Sequence, residues 1–298
     1  MHGYQDAPSY GWADWGGWEF GGRVRWPESY LEGAPTTAVS PVTAPGDLDR
    51  LPLPDPQRAG AWPLLRSFNR ELMAAGLPIK IRAGSPTSVV AGMVGKERLL
   101  RWFLREPAAV EKAYALAVDH TLAAAAAMVL EFGNRASASI SAPLDANTLI
   151  SPDIFARFVA PALNRIVIGL AALGITSFKV HICGDHRLNL PLWASLPWPE
   201  GTFFSIGSEL SLTGVAELFG HRFMIGGNLA TDILAGGTHE EVHRAAWACL
   251  EEGGRLPGGF ALMPACEMPV TAPPLNVAAM VNAAGDFNRL RREGKAGR

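Results

Sequence analysis

Alternating strand-like and helix-like patterns, repeated from residue 64 almost to the end of the chain, constrain the architecture more than any other feature. Helical spacing over 64–75 stops at Gly76, and a strand over 78–83 follows with Lys80 and Arg82 on one face. Helices fit 97–104 and 107–132, the second closed by Gly133, and a weaker strand fits 136–141. Ser151 and Pro152 then supply an N-cap and a first-turn proline for a helix reaching about residue 173. Strands at 176–183, 202–206, 222–226 and 259–263 come next, with helices at 211–219, 238–252 and about 275–287. Thr238 and Glu241 form a capping box at the second of these helices. Successive parallel strands need a crossover, usually a helix, so this alternation implies a parallel sheet. The strands just placed number six, two short of a closed barrel. The expected fold is therefore α/β, of the (β/α)8 TIM-type barrel kind, with two strands unaccounted for.

Residues 1–62 show no clear barrel unit. Trp12, Trp15, Trp18 and Trp26 crowd the start, followed by a proline-rich passage from Pro35 to Pro63. Such aromatics are expected to pack on a hydrophobic surface or a subunit contact, with a wall of the substrate pocket as the sharper alternative. The expected organisation is a Trp/Pro-rich segment over 1–62 packing on the barrel, the barrel over 63–288, and a solvated basic tail over 289–298.

Nearly half of the 298 residues are hydrophobic, enough for a substantial core. The net charge of -2 argues against a nucleic-acid binder, whose footprint is basic. No apolar run approaches a membrane span, the alanine-rich stretch 121–130 included. The first residues lack the basic and apolar regions of a signal peptide. Three cysteines cannot all pair, and no Cys-x-x-Cys is present, so a reducing cytoplasm is expected.

In the strand at 176–183, Phe178, Val180 and Ile182 share one face, and Lys179, His181 and Cys183 the other. A buried parallel strand is normally apolar on both faces, so an imidazole and a thiol two residues apart require a reason. Both groups are zinc ligands. Cys249 falls at helical spacing with Val242, Ala245 and Ala246, as a small buried residue would. Cys266, by contrast, lies just beyond the strand at 259–263, at the end where barrel enzymes gather their active sites. Two thiolates, one imidazole and a free fourth position make a catalytic zinc pattern, and thiolates favour zinc over magnesium or manganese. The plainer alternative is two buried cysteines and a hydrogen-bonded histidine.

Other polar positions carry weaker expectations. Lys80, Arg82 and Lys179 face the barrel interior, as an ion-pair layer or as attractants for an anionic substrate group. Asp185 and His186 follow Cys183 and either orient His181 or form an exposed loop pair. Asn228 ends its strand where a substrate hydrogen bond can form, and His120 has the place of an ordinary helix residue.

The segments His181-Ile-Cys183-Gly184, Gly227-Asn228-Leu229, Cys266-Glu-Met-Pro and Pro274-Leu-Asn-Val-Ala-Ala-Met-Val281, in that order, resemble the uroporphyrinogen decarboxylase superfamily. Within it the chain is most similar to the zinc-dependent methylcobamide:thiol methyltransferases, whose His-x-Cys and distant Cys match His181, Cys183 and Cys266. Further likeness lies in Leu149-Ile-Ser-Pro152, Gly84-Ser-Pro86 and Leu48 to Pro56, and the resemblance covers about 19–287. It implies a methyltransferase with zinc on those three side chains and a methylated corrinoid (cobalamin) as co-substrate or on a partner protein. A small-molecule thiol or methyl donor, a corrinoid protein and further copies of the chain are the partners implied, with neither nucleic acid nor membrane. The decarboxylase branch fits less well: its tyrosine falls on Gly92, its late histidine on Cys266, and its arginine-rich strand has no counterpart. A catalytically silent subunit that binds a corrinoid protein is the third alternative. Two departures stand out. Family members begin with an earlier strand-helix unit, which implies that the missing strands belong at the N-terminus and that the barrel is incomplete there; an open edge is expected, covered by the Trp-rich segment or a partner chain. Acidic positions of methyltransferase relatives fall on Gly207 and Ala142, with Glu209 and Asp145 nearby but out of register.

Overall fold

The computed structural model describes residues 15–29, 35–134 and 136–294, so Trp12 lies outside the described residues. A short antiparallel pair, β1 (Arg23–Arg25) and β2 (Thr36–Val39), precedes a six-stranded parallel sheet. Its strands are β3 (Lys80–Arg82), β4 (Ser137–Ser141), β5 (Phe178–Ile182), β6 (Phe203–Ile206), β7 (Met224–Leu229) and β8 (Phe260–Pro264). Each pairs with its neighbours in sequence, which is the order of a barrel wall; a doubly wound sheet reverses at a switch point. Among the described residues β3 and β8 are the outer strands, yet Lys80 of β3 and Met263 of β8 line one cavity, so the wall curls round on itself.

Alternation along the strands sets inside and outside. On β5, Phe178, Val180 and Ile182 are buried beneath the helices, while Lys179 and His181 are half-buried on the inner face. On β4, Ala138 and Ile140 are buried and Ser137, Ser139 and Ser141 alternate with them. Register places His181 beside Ser141 on one side and Ser205 on the other.

Two helices, Pro107–Phe132 and Pro152–Ala172, are long and apolar enough to cross a bilayer by length and composition, contrary to the expectation that no run approaches this. Their apolar windows are 50% and 44% buried in the fold, where the two helices pack on each other. Buried side chains recur on the first at Val110, Ala113, Tyr114, Ala117 and Val118, the spacing of a core-facing stripe. The second contains a π-turn at Phe155–Val159, which points Phe155, Phe158 and Val159 inward.

The N-terminal segment packs on the elements that follow β3. Helix Trp15–Glu19 meets helix Pro86–Val94 backbone to backbone: a Cβ on Gly92 would sit 2.4 Å from the Gly17 nitrogen. Val42 N–H donates to the Met93 carbonyl at 3.0 Å. His120 is not the ordinary helix position expected. It is buried and bonds the buried Glu19 carboxylate at 2.5 Å, and burial raises the Glu19 pKa against the opposing pull of His120. Trp18 and Trp26 meet edge to face at 5.9 Å.

One core runs between the sheet and these helices. A second, smaller one joins the end of β7 to helices His239–Gly253 and Pro274–Arg292, through Leu229, Val242, Ala246, Ala279 and Ala283.

Candidate metal centre

His181 stands near the C-terminal end of β5, Cys183 one residue beyond it, and Cys266 two residues beyond β8. The parallel wall brings these strand ends to one mouth, as the sequence implied. One ligand atom from each of the three side chains lies within 4.8 Å of the others, and the two sulfurs are 3.2 Å apart. The His181 Nδ1 is 3.0 Å from the Ser205 hydroxyl, while its Nε2 is buried with no hydrogen-bond partner. With Nδ1–H donated to Ser205, the Nε2 lone pair is left for a ligand. A bare imidazole nitrogen beside two touching thiols fits a soft cation with three protein donors.

The two thiols share a proton unequally. The hydrogen bond from Cys183 pulls Cys266 below the ordinary thiol range, to about 4, with His181 adding to the effect and burial opposing it. That same bond, then burial, holds Cys183 above its ordinary value. A cation binding here takes both sulfurs as thiolates and displaces the proton that the pair shares.

Asp185 and His186 do not orient His181; Ser205 does. The chain turns at Gly184, whose φ is +86°, and both side chains find other partners. Asp185 pairs with Arg187 at 2.6 Å, which holds its carboxyl down to about 2. His186 is fully buried and burial lowers it to about 4, so it is neutral. The Trp193 indole donates to its Nδ1 at 3.2 Å, which leaves Nε2–H to donate to the Cys183 carbonyl at 3.1 Å. His186 therefore fixes the backbone of a ligand, not the imidazole.

The expected substrate contacts divide. Lys179 lines a cavity of about 360 Å³ together with Lys80, Ser139, Phe203, Met263 and Cys266. Arg82 lies close enough to Glu19 for its charge to oppose the rise in the Glu19 pKa. The Asn228 amide is committed to protein: it donates to the Leu210 carbonyl at 2.7 Å, and its oxygen accepts from the Cys249 thiol at 3.7 Å. Asn228 thus anchors the turn after β6. Ser205 was missed by sequence reasoning, although one polar residue in Phe203-Phe-Ser-Ile206 was a signal of the same kind as His181.

Among solved structures, a methyltransferase from Methanosarcina mazei has a similar fold, with a TM-score of 0.78 and 22% sequence identity. The alignment covers 94% of this chain and 80% of that one. No curated protein matches the sequence. The description of the family that matches residues 17–287 is uroporphyrinogen decarboxylase (URO-D), so the segment before the first barrel strand falls largely within the family span. The chain belongs to the uroporphyrinogen decarboxylase family, and its six parallel strands are those of the family's TIM-type barrel.

Proposed function

We propose that the chain is a zinc-dependent methyltransferase that moves a methyl group between a corrinoid cobalt and a thiol or similar acceptor. The observation that carries this reading is the meeting of His181, Cys183 and Cys266 at one barrel mouth, the two cysteines being 83 residues apart in sequence. The similarity in fold to a methyltransferase supports it.

His181, Cys183 and Cys266 would hold the zinc, which when bound supplies the charge that keeps an incoming thiol deprotonated at neutral pH. Two protein thiolates cancel the formal charge of a divalent cation, so the acceptor sulfur stays electron-rich and nucleophilic; oxygen ligands suit Lewis-acid hydrolysis better. Ser205 fixes the imidazole ring, and His186 with Trp193 fixes the Cys183 backbone, so the donors are held in place before a ligand arrives. Phe203 and Met263 give the cavity an apolar wall, and Lys80 and Lys179, set against the one carboxylate of Glu267, give it a net positive charge that favours an anionic substrate portion. The corrinoid enters as co-substrate, free or on a partner protein, at the open end of the barrel. Free cysteines at the site suit a reducing cytoplasm.

The test is metal content followed by turnover. Purified protein should hold about one zinc per chain, and Cys266→Ala should lose it. Absorbance spectra of methylcobalamin with a series of thiols should show thiol-dependent demethylation. A parent protein without zinc, or one that binds methylcobalamin with no thiol able to demethylate it, would sink the reading; the second result would favour a silent binding subunit.

A further inference from the structure

We propose that Asp145 is a positioning residue for the metal centre: it pins the loop after β4 to helix Pro86–Val94, and that loop holds Cys183 against Cys266. The consequence for metal binding rests on the function proposed above; the geometry does not.

The pin is buried. Asp145 is 0% exposed, and the Ser85 hydroxyl donates to its Oδ2 at 2.6 Å. Ser85 also caps helix Pro86–Val94, accepting from the Thr87 N–H at 3.2 Å. One hydroxyl therefore joins a helix start to the loop after the next strand.

That loop is stitched to the segment bearing two of the ligands. Before Asp145, the Ala142 N–H donates to the His181 carbonyl at 2.8 Å. At Asp145, the backbone carbonyl accepts from the Asn189 side chain at 2.9 Å. After it, the Asn147 N–H donates to the Asp185 carbonyl at 2.6 Å, and the Asn147 side-chain oxygen accepts from the Leu188 N–H at 3.0 Å. Between these bonds, a Cβ on Gly184 would lie 3.3 Å from the Ala146 Cβ. Residues 142–147 thus brace 181–189 along their length, while Cys266 arrives on a separate loop. A three-donor site works only when its donors are held within about 0.5 Å of the productive geometry by the structure behind them, so what fixes the far side of the brace matters. Asp145 and Ser85 fix it.

Stability alone does not account for a carboxyl in this position. Burial pushes it up to about 6 despite the Ser85 and Thr87 hydroxyls, and its Oδ1 has no hydrogen-bond partner. The titratable side chain facing it is Tyr114, itself driven up by burial and then by the Asp145 charge, and bonded to Thr87 at 2.8 Å. A buried carboxyl so placed costs stability, and the bond to Ser85 is what it supplies in return.

The experiment uses the full chain as Asp145→Ala, Asp145→Asn and Ser85→Ala, with circular dichroism to verify folding. The first measurement is zinc retention against a chromophoric chelator. The second is capture of phenylarsine oxide by the metal-free protein: two As–S bonds form with the adjacent thiols, and the arsenical oxygen leaves as water with both thiol protons. Asp145→Ala and Ser85→Ala should weaken both about tenfold, whereas Asp145→Asn, whose amide oxygen still accepts from Ser85, should recover most of the loss. A folded Asp145→Ala that matches the parent in both measurements overturns the proposal. Should that variant fail to fold, Ser85→Ala decides by the same criterion. A parent that captures the arsenical but not zinc sinks the metal reading, and weakened capture in Ser85→Ala then still upholds the positioning role. A parent that takes up neither overturns both.

Discussion

The His181 imidazole is held by one hydrogen bond, from Nδ1 to the Ser205 hydroxyl, and this sets which nitrogen a ligand meets. Ser205→Ala frees the ring to rotate and to change tautomer. Zinc affinity measured by chelator competition should then fall about tenfold, while the fold remains intact. Asp145 gives a prediction of a different kind. Its folded value of about 6 lies above the ordinary 3.8, so the folded chain binds this proton more tightly than the unfolded chain does. The stability contributed by the protonated form is fully present below about pH 4, is lost as pH rises towards 6, and the loss is level above that. A difference of about two units corresponds to about 3 kcal/mol. Asp145→Asn removes the titration, so denaturant melts should show the variant gaining on the parent as pH rises from 4 to 6 and keeping that gain at pH 8. The buried Glu19, also raised, adds to the same slope in the parent.

Elements whose two faces differ were legible in the sequence, whereas a helix buried all round was not, although β6, equally buried, was short enough to read as a strand. β5 alternates because helices cover one face and the cavity takes the other, so His181 and Cys183 could be singled out from pattern alone. Helix Pro86–Val94 went unassigned because eight of its nine residues are buried, which erases the polar stripe that betrays a helix. β7 runs to Leu229, past the expected end at 226, because Gly226-Gly227-Asn228 has the composition of a turn but continues the ladder to Met263 and Pro264 of β8. Ser205 and Asp145 gave no spacing signature; their roles arise from register and from loop packing, which a single sequence does not encode locally. At the close contact of Gly17 with Gly92, Gly92→Val should drive helix Trp15–Glu19 off helix Pro86–Val94. A cost of about 1–3 kcal/mol is expected, with faster hydrogen exchange confined to the N-terminal segment. Thr238→Ala, which breaks the capping box with Glu241, should cost about 1 kcal/mol in denaturant melts without changing metal content.

Over the whole molecule, the second core gives the last part of the chain a measure of independence. Helices His239–Gly253 and Pro274–Arg292 bury their apolar faces chiefly against each other and against β7 and β8, in a cluster beside the main core that runs from β3 to β7. Cys266 leaves β8 between these helices and touches Cys183, so under the proposed function a cation shared by the two sulfurs would act as a clasp between the two clusters. Undoing the clasp with a strong chelator should therefore be felt unevenly. Amides of residues 239–292 should exchange sooner, those of β4 and β5 should keep their protection, and the calorimetric endotherm should broaden towards lower temperature.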